Sequence, residues 1–180
     1  MATPVPVTVY FLEMTSPSDL RPAEIGTSGL QVVRVERTVP EFNRFLYTAV
    51  GGEWYWIDRL GWNYGDWQRW LTQTGVETWV GYQNGAPVGY YELQRLEQSV
   101  NIAYFGLLSG AIGRGLGKRL LTHAVRRGWR HETRRLTLNT CSLDHPNALA
   151  NYQARGFRVI RETREMRHLP PRAPGPWPGA

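Results

Sequence analysis

The stretch SGAIGRGLG, residues 109–117, lies between a predicted strand, Gln98–Leu107, and a predicted helix, Gly115–Arg130. Its glycines let backbone N–H groups approach a ligand, because no Cβ stands in the way. The first turn of the helix adds unpaired N–H donors and a partial positive charge. This stretch therefore predicts an anion-binding turn at a strand-to-helix junction.

Two common nucleotide-binding patterns do not fit this turn. A P-loop would need glycine at position 112 and serine or threonine at 119, where the chain has Ile112 and Arg119. A dinucleotide-binding fingerprint would place its third glycine at position 118, which is Lys118. A glycine-rich connection that binds no ligand is a further alternative.

The segments around the turn alternate between strand and helix patterns. The helix after it has apolar residues three or four positions apart, which predicts one buried face; they are Leu116, Leu120, Leu121, Ala124, Val125 and Trp129. The pattern predicts the remaining strands at Pro6–Leu12, Leu30–Val39, Val76–Gln83, Ala86–Leu96, Arg135–Cys141 and Phe157–Met166, and helices at Pro40–Val50, Tyr64–Thr74 and Pro146–Arg155. Hairpins followed by a βαβα order predict an α/β or α+β domain with a mixed sheet.

A second block of sequence follows the turn about 40 residues later. It runs from Ala148 to Phe157 with Tyr152 and Gly156 between them, as in the pattern Ala-x-x-x-Tyr-x-x-x-Gly-Phe. With Gly115 and Gly117 of the turn, it resembles the GNAT superfamily of acyl-CoA-dependent N-acyltransferases over Val76–Met166. The family has Gln or Arg at the position of Ile112, and an Asn at the position of His145, which Asn147 follows.

The resemblance implies a GNAT-like, twisted and mostly antiparallel mixed sheet of six to seven strands, flanked by about four helices. Two neighbouring strands would splay apart to admit acetyl-CoA as co-substrate. The residues implied in its binding belong to the end of one strand, the turn and the later helix: Phe105, Gly106, Leu107, Ile112, Gly113, Arg114, Gly115, Leu116, Gly117, Lys118 and Asn147.

The resemblance also implies two catalytic residues. Glu92 lies on the strand where many family members place a glutamate base, and an amine must lose a proton to attack a thioester. Tyr152 matches the family's acid, and a phenol is protonated at neutral pH. A surface glutamate and a buried helix tyrosine are the structural alternatives.

Five of the eight tryptophans lie between Trp54 and Trp70. Indole faces attract cations and a nearby carboxylate adds to this attraction, so Trp54, Trp56, Asp58 and Trp62 are predicted to bind the acceptor amine. Core or dimer-interface tryptophans would give the same pattern. The predicted reaction is acetyl transfer to a primary amine of a small molecule; a peptide or protein amine, or an acyl-CoA-binding module without turnover, are the alternatives.

Composition limits the other classes of function. The 180 residues carry a formal charge of +6 without a nucleic-acid-binding motif, so the charge alone does not predict nucleic acid as a partner. The single cysteine fits a cytoplasmic protein, no segment resembles a membrane span, and no histidine spacing indicates a metal site. We expect one domain over residues 1–167, a proline-rich, disordered tail over residues 168–180, and a possible homodimer.

Overall fold

The computed structural model describes residues 4–24, 29–130 and 132–177, which form seven strands and four α-helices. The strands are β1 (Pro4–Met14), β2 (Gln31–Arg34), β3 (Val76–Gln83), β4 (Ala86–Leu96), β5 (Ser99–Leu107), β6 (Arg135–Cys141) and β7 (Arg158–His168). The helices are α1 (Pro40–Gly51), α2 (Tyr64–Leu71), α3 (Leu116–Gly128) and α4 (Ala148–Ala154).

The strands form one sheet in the order β2-β3-β4-β5-β6-β1-β7. Neighbours are antiparallel except β5 and β6, which are parallel. The mixed, mostly antiparallel sheet with four helices is the architecture that the sequence predicts.

The parallel pair is short. Ser99–Asn101 of β5 pairs with Arg135–Thr137 of β6, although β5 continues to Leu107 and β6 to Cys141. Beyond Asn101 the two strands have no ladder between them, so a gap opens in the middle of the sheet.

Helix α3 packs its apolar face against the sheet beside this gap. The predicted face is buried, with Leu120, Leu121, Ala124 and Val125 fully inaccessible to solvent. Removing a large aliphatic side chain of this kind from water contributes about 1.5–3 kcal/mol. The packing therefore fixes the start of α3, and with it the glycine turn, at the edge of the gap.

The hairpin between β3 and β4 turns at the pair Asn84-Gly85, two residue types that tolerate positive φ. Asn84 and Gly85 have φ angles of 51° and 79°, which two-residue hairpin turns of this kind require. The prediction for β2 was too long, because the strand ends at Arg34 and Pro40 then starts α1.

The position of β1 is not apparent from its sequence. Val7 and Val9 are buried, and so are Leu12 and Met14 beyond the irregularity between Phe11 and Leu12, as expected for a strand within a sheet. However, β1 lies between β6 and β7 and pairs with both, so the first strand of the chain completes the C-terminal half of the sheet.

The proline-rich tail, predicted to be disordered, is described as far as residue 177, and residues 178–180 lie outside the described part. Leu169 is buried. The N–H of Gly175 donates to the carbonyl of Gly52 at 3.0 Å, in the 3-10 turn Gly52–Trp54 that follows α1. The tail thus runs from the end of β7 to the segment that carries Trp54.

Candidate active site

A cavity of about 490 Å³ occupies the gap between β5 and β6. Its walls come from both strands, from the glycine turn and the start of α3, from the start of α4, and from the segment after α1. A pocket of this size fits a small ligand rather than a single water.

The glycine turn forms one end of the cavity. Gly113 and Gly115 have φ angles of 80° and 71°, and Gly115 caps α3 without a side-chain hydrogen bond. A Cβ built on Gly113 would meet nothing within 4 Å, so the turn is open on that side. Left-handed residues directly before a helix leave backbone N–H donors available to an anion.

The predicted residues of the turn divide into two groups. Ile112, Gly113, Gly115, Gly117 and Lys118 line the cavity. The other two do not line it, because the side chain of Leu116 is buried in the core and the guanidinium of Arg114 donates to Gln83 on β3.

The end of β5 forms part of the cavity wall. Phe105, Gly106 and Leu107 all line it, beyond the last residue paired with β6. A Cβ on Gly106 would lie 2.4 Å from Cγ1 of Val50, which is closer than carbon atoms pack. Glycine is therefore required for the end of β5 to pass helix α1.

Tyr152 reaches the cavity from α4. Its ring packs edge-on against Phe105 and Phe157 and is only 7% exposed. Within the described residues its hydroxyl has no hydrogen-bond partner, although it lines the cavity. Burial, with a smaller effect from Asp144, raises the pKa of Tyr152 well above its ordinary value. The phenol is therefore a protonated group beside open space.

Glu92, the predicted base, does not line the cavity. Its side chain is 1% exposed and forms a two-point ion pair with Arg59, at 3.0 Å and 2.8 Å. Oε1 also accepts a hydrogen bond from Nε1 of Trp70 at 2.9 Å. Because both oxygens are occupied and sheltered from solvent, this carboxylate does not suit removal of a substrate proton.

Arg59 is enclosed by aromatic rings. Its guanidinium lies 4.3 Å from the ring centre of Tyr104 and 4.6 Å from those of Trp62 and Trp70. Burial opposes its charge, but the hydrogen bonds and charge of Glu92 outweigh this and raise the pKa of Arg59. Trp62, predicted to bind the acceptor, is therefore part of the packing around Arg59 and does not line the cavity.

The other predicted acceptor residues do line it. Trp54, Trp56 and Asp58 lie in the segment after α1, and we call the part of the cavity that they line the acceptor end. Trp56 packs edge-on against Tyr104 with ring centres 4.9 Å apart. The backbone N–H of Arg59 donates to the hydroxyl of Tyr47, so the ion pair holds the segment after α1 in place.

His145 and Asn147 lie where the loop after β6 enters α4. Asn147, which the resemblance implies in cofactor binding, lines the cavity, and so does His145, which the sequence did not single out as a site residue. The N–H of Asn147 donates to Nδ1 of His145 at 3.0 Å, so the neutral ring carries its proton on Nε2. The imidazole packs edge-on against Trp54, with ring centres 5.1 Å apart, and so links α4 to the acceptor end.

Other lining residues were missed by sequence reasoning. They include Tyr55, Tyr104, Asp144 and Arg167. Tyr104 directly precedes Phe105, the first residue of β5 that was predicted to bind the cofactor, so its position in the sequence is a signal. Arg167 has no such signal nearby in the sequence, because the place of β7 depends on its pairing with β1.

The described residues contain no cluster of three or more side chains suited to a metal ion. No helix in this part of the chain is long and apolar enough to cross a membrane.

Residues 40–157 match the model of the Acetyltransferase (GNAT) family. No curated protein sequence matches the chain. Many solved structures share its fold, and three of them show the range of similarity. A GCN5-related N-acetyltransferase from Kribbella flavida has 16% identity and a TM-score of 0.62, over 86% of this chain and 55% of that one.

The second is a GCN5-related N-acetyltransferase from Sphaerobacter thermophilus, with 22% identity and a TM-score of 0.57, over 94% of this chain and 54% of that one. The third is a Bacillus subtilis acetyltransferase in complex with CoA, with 20% identity and a TM-score of 0.56, over 73% of this chain and 78% of that one. The chain thus spans about half the length of the first two proteins.

Proposed function

Because this chain belongs to the acetyltransferase (GNAT) family, we propose that it transfers acetyl from acetyl-CoA to a primary amine of a small molecule, by direct attack in a ternary complex. One observation carries the proposal: a single cavity reaches from Gly117 to Trp54. Donor and acceptor must meet in one space for direct transfer, and holding them there lowers the entropic cost of the reaction.

The glycine turn is proposed to hold the pyrophosphate of CoA. The first N–H groups of α3 and the positive side chain of Lys118 supply donors and charge. At position 112 the family pattern has a side-chain donor, but this chain has the apolar Ile112. Backbone N–H groups would therefore make the contact with the pyrophosphate at this position. A Cβ on Gly117 would meet only Leu107 and Asn151, at 3.5 Å and 3.8 Å, so a large side chain there would extend into the cofactor space.

The end of β5 is proposed to hold the thioester. Its backbone from Phe105 to Leu107 lines the cavity beyond the last pair with β6. Backbone N–H groups at such a place stabilise the negative charge that develops on the carbonyl oxygen during attack.

Attack forms a C–N bond and breaks the C–S bond, which leaves a thiolate on CoA. Tyr152 is proposed to give its proton to this sulfur, since the residue lines the cavity and its raised pKa keeps the hydroxyl protonated until the thiolate forms. Glu92 is not proposed to accept the proton that the amine loses, because Arg59 and Trp70 already donate hydrogen bonds to its two oxygens. The carboxylates of Asp58 and Asp144, which line the cavity, are proposed to accept this proton through water.

The acceptor end supports an amine substrate. Aromatic faces at Trp54, Trp56 and Tyr104 surround it, and Asp58 provides a negative charge for an ammonium group. The contact between His145 and Trp54 bridges this end, which supports a small acceptor over a long peptide.

Calorimetric titration with acetyl-CoA tests the cofactor site. The wild type is expected to bind, and Gly117→Glu to lose binding, because it adds bulk and negative charge where the pyrophosphate would lie. Gly61→Glu is the matched control: it adds the same charge at a position with nothing within 4 Å, outside the cavity. A folded wild type that does not bind acetyl-CoA or longer acyl-CoAs would contradict the proposal.

Thiol release in the presence of an amine panel then tests turnover. Acceleration by small amines supports the proposal, and acceleration by peptides alone would replace the small-molecule acceptor with a peptide or protein amine. Tight binding of acetyl-CoA without release by any amine would indicate a binding module.

A further inference from the structure

The cavity contains a guanidinium group that the proposed reaction does not use. Among the described residues that line the cavity, Lys118 and Arg167 are the two that carry a permanent positive charge. Lys118 belongs to the glycine turn, where the pyrophosphate is proposed to lie, whereas Arg167 lies on β7. A guanidinium in a ligand cavity is suited to an anionic group of the ligand, which it can hold with two parallel hydrogen bonds.

The register of the sheet places Arg167 on the cavity side. Arg167 lies opposite Val5 of β1, and Val9 of β1 lies opposite Cys141 of β6. Val5 and Val9 project to the same face, because they are an even number of residues apart on one strand, and their cross-strand partners project with them. Since Val9 and Cys141 line the cavity, the side chain of Arg167 is directed to the same side of the sheet.

The loop after β6 connects Arg167 with the acceptor end. Burial raises the pKa of the Cys141 thiol, Asp144 adds to this effect and the charge of Arg167 opposes it, so the guanidinium lies near this loop. In the same loop, His145 packs against Trp54 of the acceptor end with ring centres 5.1 Å apart. Arg167 and the acceptor end are therefore joined by one short loop that lines the cavity.

Part of the guanidinium is available to a ligand. Nε and Nη2 of Arg167 donate to one carboxylate oxygen of Glu165, and the two side chains are 39% and 46% exposed. Nη1 has no hydrogen-bond partner among the described residues. A guanidinium has five N–H donors in a planar fork, so the side formed by Nη1 and the second N–H of Nη2 can still bind a carboxylate.

Asp58 supplies the opposite charge. It is exposed, lines the cavity and has no hydrogen bond or ion pair with another described residue. The other carboxylate of the cavity, Asp144, accepts hydrogen bonds from the hydroxyl of Thr140 at 2.6 Å and from the N–H of Cys141 at 2.9 Å. The cavity thus offers an unpaired carboxylate for an ammonium group and, from a different strand, a guanidinium for a negative group.

From these observations we propose that the acceptor is a small amine that also carries a carboxylate, which Arg167 binds while Asp58 and the aromatic rings hold the ammonium group. Glu165 offsets part of the charge of Arg167, which favours a group with one negative charge over a doubly charged phosphate. This inference rests on the proposed acetyl transfer and names the chemical class of its acceptor.

Pairs of acceptors that differ only in the carboxylate test the inference. Phenylalanine is compared with phenethylamine, and ε-aminocaproate with pentylamine, so that a short and a long spacing between the amine and the carboxylate are both covered. Thiol release gives kcat/KM for each compound. The wild type is expected to favour the carboxylate-bearing member of at least one pair by roughly tenfold, and Arg167→Gln to lose this preference.

Three further variants separate the guanidinium from its surroundings. Arg164→Gln is the matched control, because Arg164 lies on the same strand in an ion pair with Glu162 but does not line the cavity, so the preference should persist. Arg167→Lys retains the charge without the planar fork and should retain part of the preference. Glu165→Gln removes the competing carboxylate and should increase the preference by roughly two- to fivefold.

Calorimetric titration of the same pairs into the chain saturated with CoA measures the preference without turnover, and thermal melts show whether each variant is folded. Equal kcat/KM within both pairs, a preference that persists in Arg167→Gln, or a loss of acetyl-CoA affinity in Arg167→Gln as large as its loss of preference would overturn the inference and leave acetyl transfer standing. A wild type that does not bind acetyl-CoA would instead contradict the proposed function on which the inference rests.

Discussion

Glu92→Gln is expected to weaken the fold and leave the chemistry largely intact. The glutamate accepts two hydrogen bonds from Arg59 and one from Trp70 in a site closed to solvent. Glutamine has one acceptor oxygen and one donor group, so at least one donor of Arg59 would face an NH₂ group. The guanidinium charge would then remain buried without a negative charge to compensate it.

The size of the effect follows from this loss. Removing one partner of a buried ion pair costs about 3–5 kcal/mol, because the remaining charge is uncompensated. For a chain of this length, 1 kcal/mol corresponds to roughly 2–4 °C in Tm. We therefore expect Glu92→Gln to lower Tm by roughly 6–20 °C.

Thermal and urea unfolding measure the loss of stability in Glu92→Gln relative to the wild type, with two further variants for comparison. Glu77→Gln is the comparison, since its ion pair with Arg95 is more exposed, at 14% and 23%, and its loss should cost less. The double variant Arg59→Met, Glu92→Met removes both charges and should recover much of the stability. At a temperature where Glu92→Gln is folded, the acceptor KM should rise, because Arg59 holds the segment with Trp56 and Asp58.

A different result would restore the role that the sequence predicted. If Glu92→Gln keeps its Tm but loses kcat and changes the pH dependence of kcat, the ion pair with Arg59 must open in the ternary complex. Glu92 would then be the base, and the argument from its occupied oxygens would be refuted.

Three further predictions concern single side chains. Tyr152→Phe keeps the ring contacts with Phe105 and Phe157 but removes the proton, so kcat should fall by roughly 100-fold with unchanged acetyl-CoA affinity; a kcat close to wild type would exclude the acid role. Burial, aided by nearby arginines, lowers the pKa of His123. The unfolded chain therefore binds its proton more readily, and wild-type stability should fall as pH drops below about 6.5; urea unfolding of His123→Gln should show a smaller fall, and an equal one would contradict this. Trp54→Ala should raise the acceptor KM without changing the KM for acetyl-CoA, and an unchanged acceptor KM would remove Trp54 from the acceptor site.

Local features of the fold were predictable because their causes are local. The left-handed pair Asn84-Gly85, the buried face of α3 and the left-handed Gly156 after α4, with φ of 106°, each follow from a few adjacent residues. The glycine turn was also predictable from adjacent residues, because the spacing of its glycines and the helix that follows indicate free backbone N–H donors.

The environment of Glu92 was not predictable in this way. Its partner Arg59 is 33 residues earlier in the chain, in a segment whose tryptophans equally suggested a ligand site. Whether a tryptophan faces Arg59, as Trp62 does, or the cavity, as Trp56 does, depends on how the segment after α1 folds back over the sheet. No periodicity in the sequence carries that information.

The place of β1 in the sheet has a consequence for biosynthesis. Residues 4–14 are synthesised well before β6 and β7, their neighbours in the sheet; Thr8 and Ser142, joined by a hydrogen bond, are 134 residues apart. Such distant pairing is slow to form. Until β6 and β7 emerge, β1 has no strand to pair with, so the half of the sheet made of β6, β1 and β7 forms only after residue 168 has been synthesised.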